Sequence, residues 1–289
     1  MRVFVTGASG WIGSAVVPEL IGAGHGVVGL ARSDASATAL ADAGVEVVRG
    51  TLDDLGTLGE TAAAADGVIH LAFKHEEAFS GDFAGAADAD RAAIETFGAA
   101  LDGRPFVIAS GLAGHANGAV VTEDDQPDPN SPAGHRTLSE RAALALTGSS
   151  VRLPPTVHGE GDNGFTATLF QIARDTGVSG YIGDGSNRWP AVHVKDAASA
   201  FRLALEQAPA GTALHPIDDE GVPIREVAEV IGRQLQLPVE ARPAEHFGWL
   251  GRFLALDAPV SSALTRERFG WAPTQPGLLE DLAQGHYFR

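Results

Sequence analysis

The sequence predicts an α/β fold in which a parallel sheet carries helices on both faces. Apolar segments rich in Val and Ile alternate with Ala-rich segments of helical periodicity through the first half of the chain. A glycine-rich turn joins the first apolar segment to the first helical one. Parallel strands joined by helices are buried on both sides and cross over with one hand, so we expect a doubly wound sheet.

Six apolar segments are predicted as buried strands, because each is short, rich in β-branched residues and bounded by turn residues. They cover residues 2–6, 26–31, 45–50, 67–72, 104–110 and 149–154. The segments between them have helical periodicity, and the predicted helices cover 11–24, 34–44, 54–65, 84–101 and 135–148. The first of these helices is predicted to place Ile12, Val16, Leu20 and Ile21 on one face.

After Pro155 the alternation is less regular. We predict helices over 164–177, 195–208 and 223–237, the last with a proline at its start, and a short strand over 212–218. The predicted organisation is a first domain over 1–155, to which 189–218 returns. Most of 156–289 would form a small α/β lobe that binds the substrate.

The composition narrows the possible functions. The chain has 289 residues, a formal net charge of −17 and no cysteine. The absence of cysteine excludes disulfides, thiolate catalysis and cysteine-ligated zinc. The negative charge disfavours nucleic acid and anionic membranes as partners. We expect a cytoplasmic protein that acts on a small molecule and is a monomer or a homodimer. The acidic residues near Asp88 and Asp90 and within 122–129 and 217–221 are predicted to lie on a solvated surface.

The segment "VTGASGWIG" places Gly7, Gly10 and Gly13 between a predicted strand and a predicted helix. In this setting the first glycine permits a tight turn and the second a close approach of backbone to phosphate. The third lets the helix pack on the sheet. Amide groups at the helix N terminus then face the anion. The turn therefore predicts a dinucleotide site, with contacts from Gly7, Ser9, Gly10, Trp11, Ile12 and Gly13.

The end of the second strand indicates which dinucleotide is bound. An acidic residue at this position would bind a ribose 2′-hydroxyl, whereas arginine suits a 2′-phosphate. Here Ala31 occupies the expected position of the acid, and Arg32 and Ser33 follow it. A guanidinium and a hydroxyl suit a phosphate, so we predict NADP(H). Asp34 could still reach a ribose, which keeps the alternative open.

The spacing of "VTGASGWIG" resembles that of the extended and atypical branches of the short-chain dehydrogenase/reductase superfamily. "GVIHLA", "FVIAS", "VRLPPTVHGEGDNG" and "WPAVHVKDAASAFRLALE" resemble later segments of the same group, so the resemblance covers most of the chain. It implies a Rossmann-type fold and a catalytic serine at Ser110. It also implies further cofactor contacts from Thr51, Leu52, Leu71, Ala72, Phe73, Pro154 and Thr156.

The sequence departs from this family at its catalytic pair. Ordinary members carry Tyr-x-x-x-Lys on the helix after the serine strand, and "PAGHRTLSERAA" contains neither residue. One alignment sets Arg136 and Glu140 at these positions, and the neighbouring register offers His135 and Ser139. Arginine is too basic for a proton donor, so the proton must come from another group or from water. The catalytic candidates are Ser110, His158, His135 and Arg136.

Two further residues are candidates for contact with the substrate. Lys74 lies just beyond the fourth strand, and Trp189 could supply an apolar wall, although core packing is an equal alternative. The segment "HLAFKHEEAF" clusters histidines and glutamates, but its first histidine lies within a predicted strand and no His-Glu-x-x-His helix is present. We therefore predict no metal site.

Three functions are compatible with these features. The first is an NADP(H)-dependent oxidoreductase acting on a small apolar carbonyl, imine or alcohol, and the glycine turn, Arg32 and Ser110 favour it. The second is a non-catalytic NADP(H)-binding redox sensor or regulator, which the missing Tyr and Lys would explain. The third is a sugar-nucleotide epimerase or dehydratase, which is less favoured because the family's enzymes of that kind use the Tyr-Lys pair and NAD.

Overall fold

The computed structural model describes residues 1–115, 118–127 and 134–288. This part of the chain divides into two compact units. The first unit comprises Met1–Gly114, the described residues of Pro127–Arg152, and Ala198–Leu214. The second comprises the described residues of His115–Gln126 together with Leu153–Ala197 and His215–Arg289.

The described residues form strands and helices in the predicted alternation. The strands are β1 (Arg2–Thr6), β2 (Gly26–Ala31), β3 (Glu46–Arg49), β4 (Gly67–His70), β5 (Phe106–Gly111), β6 (Gly148–Leu153), β7 (Thr156–His158), β8 (Ser179–Tyr181), β9 (Arg188–His193), β10 (Ala213–Leu214), β11 (Asp219–Pro223) and β12 (Val239–Ala241). The helices are α1 (Trp11–Gly22), α2 (Asp34–Asp42), α3 (Leu55–Ala63), α4 (His75–Phe79), α5 (Phe83–Leu101), α6 (Gly134–Ala145), α7 (Phe165–Thr176), α8 (Val194–Gln207), α9 (Ile224–Leu235), α10 (Gly251–Leu254), α11 (Ala263–Phe269) and α12 (Leu278–Ala283). Short 3₁₀ helices cover Leu112–His115, Ala244–Leu250 and His286–Phe288.

The first unit is built on a seven-stranded parallel sheet in the order β10-β6-β5-β4-β1-β2-β3. Its core includes Phe4 of β1, Phe97 of α5 and Phe106 of β5, whose rings meet edge to face. Continuous apolar runs are what a strand buried on both faces requires, and this confirms the predicted doubly wound fold. From β1 the chain proceeds outward through β2 and β3, and it then continues on the other side of β1 with β4. The carboxyl ends of β1 and β4 therefore flank the switch point where such sheets bind ligands.

The second unit has two small sheets, in the orders β11-β9-β7 and β12-β8. Its core is formed by side chains such as Phe170, Ile231 and Leu282. Local signals shape its elements: Gly177 ends α7 at a φ of 71°, a conformation that costs a glycine little.

The division of the chain differs from the predicted boundaries in four places, because the described residues of 115–126 and residues 153–155, 189–197 and 215–218 belong to the second unit. Residues 198–214 belong to the first unit, as part of the expected return of 189–218, but residues 189–197 belong to the second. The reason is that β9 pairs with β7 and with β11, which holds it in the second unit. The described residues of 115–126 also belong to the second unit, where Val121 forms an isolated bridge with Val260.

The prediction that the acidic residues lie on a solvated surface is wrong for Asp90 and Glu123. Both are buried, Asp90 on α5 and Glu123 in the second unit. Glu123 Oε1 accepts hydrogen bonds of 2.6 Å from the backbone N–H and the hydroxyl of Thr265. Buried carboxylates need such partners, and a count of charged residues does not reveal them. Within the described residues, no helix combines the length and the apolar character needed to cross a membrane.

Candidate functional site

The turn after β1 has the geometry predicted for a phosphate site. Gly7 has a φ of 68°, and the N–H of Gly10 donates to its carbonyl oxygen at 3.0 Å. Gly10 then caps α1 without any side-chain hydrogen bond to the helix, and the first turn of α1 holds no acidic residue. Ser9 and Gly10 are exposed, and Trp11 and Ile12 are partly exposed. The helix N terminus is thus open to an anion.

The glycines also allow the close packing of backbone on backbone at this turn. A Cβ at Gly7 would lie 2.7 Å from the backbone nitrogen of Ala72 and 2.9 Å from the carbonyl carbon of Leu71. A Cβ at Gly13 would overlap the carbonyl oxygen of Gly7 and lie 2.5 Å from that of Ala8. The turn and the segment after β4 are therefore held together at the switch point, and these residues fit a dinucleotide.

Positively charged side chains lie at the ends of β2 and β3. Arg32 is 70% exposed in its side chain, and its Nη2 lies 3.2 Å from Oε1 of Glu76. The Ser33 hydroxyl caps α2 by accepting from the backbone N–H of Ser36 at 3.1 Å. Arg49 donates to the Ser33 carbonyl oxygen and lies 2.8 Å from Oδ1 of Asp34.

Sequence reasoning missed Arg49. The parallel register pairs Ala31 with Arg49, so the last residue of β3 lies beside the position expected to bind the ribose. Arg49 is recognised as a neighbour of Ala31 only when the register of β2 and β3 is known, and that register comes from the structure. Because Arg49 pairs with Asp34, the nearest carboxylate after β2 is already engaged by a cation.

The side chains predicted near the adenine and the substrate are either buried or already bound to neighbouring carboxylates. The N–H and hydroxyl of Thr51 donate to Oδ2 of Asp54 at 2.7 and 2.9 Å. Leu52 is buried in the core of the first unit, which limits any contact with the adenine. Lys74 Nζ lies 2.8 and 2.7 Å from the two carboxylate oxygens of Asp53, so it is engaged in an ion pair.

A chain of polar contacts runs through the interior of the first unit. Thr6 Oγ1 lies 2.6 Å from Nδ1 of His70, and His70 Nε2 lies 3.1 Å from Oδ1 of Asp90. Oδ2 of Asp90 lies 3.1 Å from Nη1 of Arg136. Burial raises the pKa of Asp90, but the Arg136 charge and the His70 hydrogen bond outweigh it and lower that pKa to about 2. Asp90 is therefore ionised at neutral pH.

Arg136 contacts Phe73 and the backbone beside Ser110, two of the predicted site residues. Its Nη2 donates to the carbonyl oxygen of Ala109 at 2.8 Å, next to Ser110 at the end of β5. Its guanidinium carbon lies 4.3 Å from the centroid of the Phe73 ring. Arg136 thus contacts Phe73 and the backbone next to Ser110 at the carboxyl edge of the sheet.

Glu140 does not replace the family's lysine with another charge facing the cofactor side. Its Oε1 accepts from Nε of Arg152 at 2.7 Å, and both side chains are buried. The alternative register falls on Ser139, which is buried, and on His135, whose side chain lies outside the described residues. The position of the usual lysine is occupied by an internal ion pair.

His158 is fully buried in the second unit, where Nδ1 lies 2.9 Å from Oδ2 of Asp281. Its ring meets that of His193 edge to face at 5.4 Å. Burial lowers the pKa of His193, and the nearby His158 lowers it further. These contacts are typical of structural histidines and argue against His158 as the proton donor.

The other predicted residues of the second unit are also buried. Pro154 and Thr156 have little accessible surface, and Trp189 is a core residue whose ring packs against Phe165 at 5.7 Å. Burial of Trp189 favours the packing alternative over a wall of the substrate pocket. Within the described residues, no three His, Asp or Glu side chains lie close enough together to hold a metal ion.

Comparison with known proteins agrees with this geometry. The sequence profile of the NAD dependent epimerase/dehydratase family matches residues 3–215. The chain belongs to this family. That assignment confirms the predicted relationship with the extended short-chain dehydrogenases/reductases and the Rossmann-type fold.

Similar proteins come from several organisms. The uncharacterized protein C2A9.02 of Schizosaccharomyces pombe is 46% identical, and the match covers 100% of both chains. A 4-hydroxy-2-methyl-3-oxo-4-farnesyl-3,4-dihydroquinoline-1-oxide ketoreductase of Stigmatella aurantiaca is 28% identical over 86% of this chain and 80% of its own. The structure of MoeE5 in complex with UDP-glucose and NAD is 25% identical, with a TM-score of 0.77, and the match covers 99% of this chain and 97% of that one.

Proposed function

We propose that this protein is an NADP(H)-dependent oxidoreductase that reduces a small apolar carbonyl or imine compound. The observation that carries the proposal is the charge at the ends of β2 and β3. Ala31 stands where an acid would bind a ribose hydroxyl, and Arg32 and Arg49 lie beside it. A 2′-phosphate carries negative charge that two guanidinium groups would stabilise.

Different residues of the first unit would bind different parts of the cofactor. The turn from Gly7 to Gly13 would hold the diphosphate, and Arg32 and Ser33 would hold the 2′-phosphate. Ser110 and Arg136 would lie beside the nicotinamide, which supplies a hydride when the cofactor is bound. The reaction with a carbonyl is supported by the relative from Stigmatella aurantiaca, which is described as a ketoreductase.

Two alternative functions are each favoured by one observation. A non-catalytic NADP(H)-binding sensor is favoured by the internal pairing of Glu140 with Arg152, because it leaves no lysine to assist a proton donor. An epimerase or dehydratase of nucleotide sugars is favoured by the likeness to MoeE5, whose structure holds UDP-glucose and NAD. A reductase consumes NADPH in proportion to product, whereas an epimerase shows no net consumption and a sensor shows no turnover.

The test of the proposed function combines cofactor binding with turnover. NADPH should raise the melting temperature of the purified protein, since a ligand that binds only the folded state stabilises it. NADPH should also be consumed with at least one member of a panel of ketones, aldehydes and imines.

Ser110→Ala should lower kcat by about 10²-fold, because a hydroxyl that binds the reacting oxygen acts mainly in the transition state. Stabilisation by NADPH should persist in this variant. Unchanged kcat in Ser110→Ala would exclude this serine from the site.

Arg32→Ala is expected to weaken NADPH binding by about 10- to 100-fold, as the loss of a charge-assisted contact implies. Binding of NADH, which lacks the 2′-phosphate, should change little. Isothermal titration with both cofactors measures the difference. Arg91→Ala is the matched control, because Arg91 is likewise an ion-paired arginine, 2.8 Å from Asp88 on α5. Equal losses for the two cofactors in Arg32→Ala would contradict the assignment of NADP(H).

A further inference from the structure

We propose that the Arg136 guanidinium stabilises the negative charge that develops on the substrate oxygen, and that Asp90 and His70 position it. This inference rests on the proposed function, because it assigns the electrophilic group of the same site. Arg136 is then a catalytic residue, and Asp90 and His70 act through it.

The contacts of Arg136 fix its plane and leave donors for a ligand. A guanidinium has five N–H groups. Nη1 lies against Asp90, Nη2 donates to the Ala109 carbonyl oxygen, and the Phe73 ring covers one face. Among the described residues, no hydrogen bond engages Nε, and the side chain is 22% exposed. The arginine is thus held from three sides beside Ser110, with part of its donor surface accessible.

The position of Asp90 is itself fixed. Each of its carboxylate oxygens has a partner, His70 on one side and Arg136 on the other. His70 in turn lies against Thr6, which directly precedes the Gly7 turn. The Thr6 hydroxyl can donate to Nδ1 while the Nε2–H of His70 donates to Asp90, and in this arrangement both ring nitrogens of His70 have a partner. A buried chain of contacts therefore ties Arg136 to the predicted diphosphate turn.

The charge balance indicates a neutral substrate. Asp90 is ionised and neutralises Arg136, so the pair offers little attraction to a carboxylate. Its N–H groups can still stabilise a carbonyl oxygen that becomes charged only in the transition state. In the reduction, the carbonyl carbon accepts a hydride from the dihydronicotinamide, and the electron pair of the π bond moves to oxygen. The resulting alkoxide takes a proton from water, while Arg136 keeps its own protons.

A phenol that ionises near neutral pH tests this site without turnover. In the presence of NADP⁺, the wild-type protein should bind 4-nitrophenol saturably and shift its ionisation toward the phenolate, as absorbance titration would show. Arg136→Met should abolish the shift, and Arg136→Lys should retain part of it. Asp90→Asn should change the size of the shift, because the guanidinium loses both its positioning partner and its counter-charge. Within the described first unit, Asp90 and His75 interact with the charge of Arg136, and His70 contacts Asp90. His75→Gln is therefore the control, and it should leave the shift unchanged.

Kinetics provide the second readout. Arg136→Met should lower kcat by about 10²- to 10³-fold with the KM for NADPH unchanged, as removal of an oxyanion donor does. Free guanidinium should partly restore the activity of Arg136→Ala. The variant Arg91→Met removes a neighbouring surface cation and should leave kcat unaltered. Methyl phenylglyoxylate should be reduced in preference to phenylglyoxylate, its carboxylate counterpart.

The two proposals fail in different ways. If no carbonyl compound is turned over but Arg136→Met abolishes the nitrophenolate shift, the oxyanion site stands and the proposed reductase fails. If carbonyls are reduced but Arg136→Met retains the shift and wild-type kcat, the role of Arg136 is overturned. Absence of saturable 4-nitrophenol binding to the wild-type protein would also overturn it.

Discussion

Arg152→Met is expected to lower the free energy of unfolding by about 3–5 kcal/mol, the cost of removing one partner of a buried ion pair. The Nε of Arg152 lies 2.7 Å from Oε1 of Glu140, and the two side chains are 0% and 1% exposed. Removal of the guanidinium leaves a carboxylate in the interior without its counter-charge. Urea unfolding, followed by circular dichroism, should show the loss as a lower midpoint.

The double variant Glu140→Leu/Arg152→Met separates charge from packing. If the unpaired carboxylate is the cause, the double variant should be much more stable than Arg152→Met, since apolar replacement of a whole buried pair is often close to neutral. Arg91→Met serves as the partly exposed control and should cost less than about 1 kcal/mol. Equal destabilisation of the single and double variants would assign the effect to lost packing instead.

The sheet of the first unit could be predicted from the sequence because its strands are buried on both faces. Such strands are read as continuous apolar runs, and the helices between them repeat at helical spacing. Each of the six predicted strands is present with ends that differ by at most two residues. The phosphate turn could be predicted equally well, because glycines mark positions where the backbone adopts a positive φ or packs closely against other atoms.

The polar interior could not be predicted in the same way. Asp90 was assigned to the surface because it lies among acidic residues in an Ala-rich segment, yet it faces His70 and Arg136 in the core. Arg49 was missed because its proximity to Ala31 follows from the register of two parallel strands. In each case the decisive neighbour is distant in sequence, so the partner becomes visible only when the fold is known.

The environments of His158 and Trp189 could not be predicted for a related reason. His158 and Trp189 follow motifs that suggested contact with the cofactor or substrate, but both side chains are buried within their own unit. Asp281 lies 123 positions beyond His158 in the chain, and it engages the histidine at 2.9 Å. This pairing favours a structural role for His158, because burying an imidazole without any hydrogen bond would destabilise the fold.

Gly13→Ala should abolish NADPH binding and destabilise the first unit by about 1–3 kcal/mol, the range of an overpacked core position. The added Cβ would overlap the carbonyl oxygen of Gly7 and lie 2.5 Å from that of Ala8, so the turn and α1 must separate. Neither neighbour can rotate away, because both atoms belong to the backbone. The separation would displace the helix amides from the phosphate site, and isothermal titration with NADPH would measure the loss.

Gly22→Ala, in the same helix, tests whether this loss is specific to the turn. No heavy atom lies within 4 Å of a Cβ added at Gly22, and alanine is favoured over glycine in a helix by about 1 kcal/mol. This variant should therefore bind NADPH normally and be as stable as the wild type or more so. If Gly13→Ala binds NADPH as well as Gly22→Ala does, the packed turn after β1 is not where the diphosphate lies. The cations at Arg32 and Arg49 would then have no dinucleotide to select, because the 2′-phosphate reaches them only when the diphosphate is held at this turn.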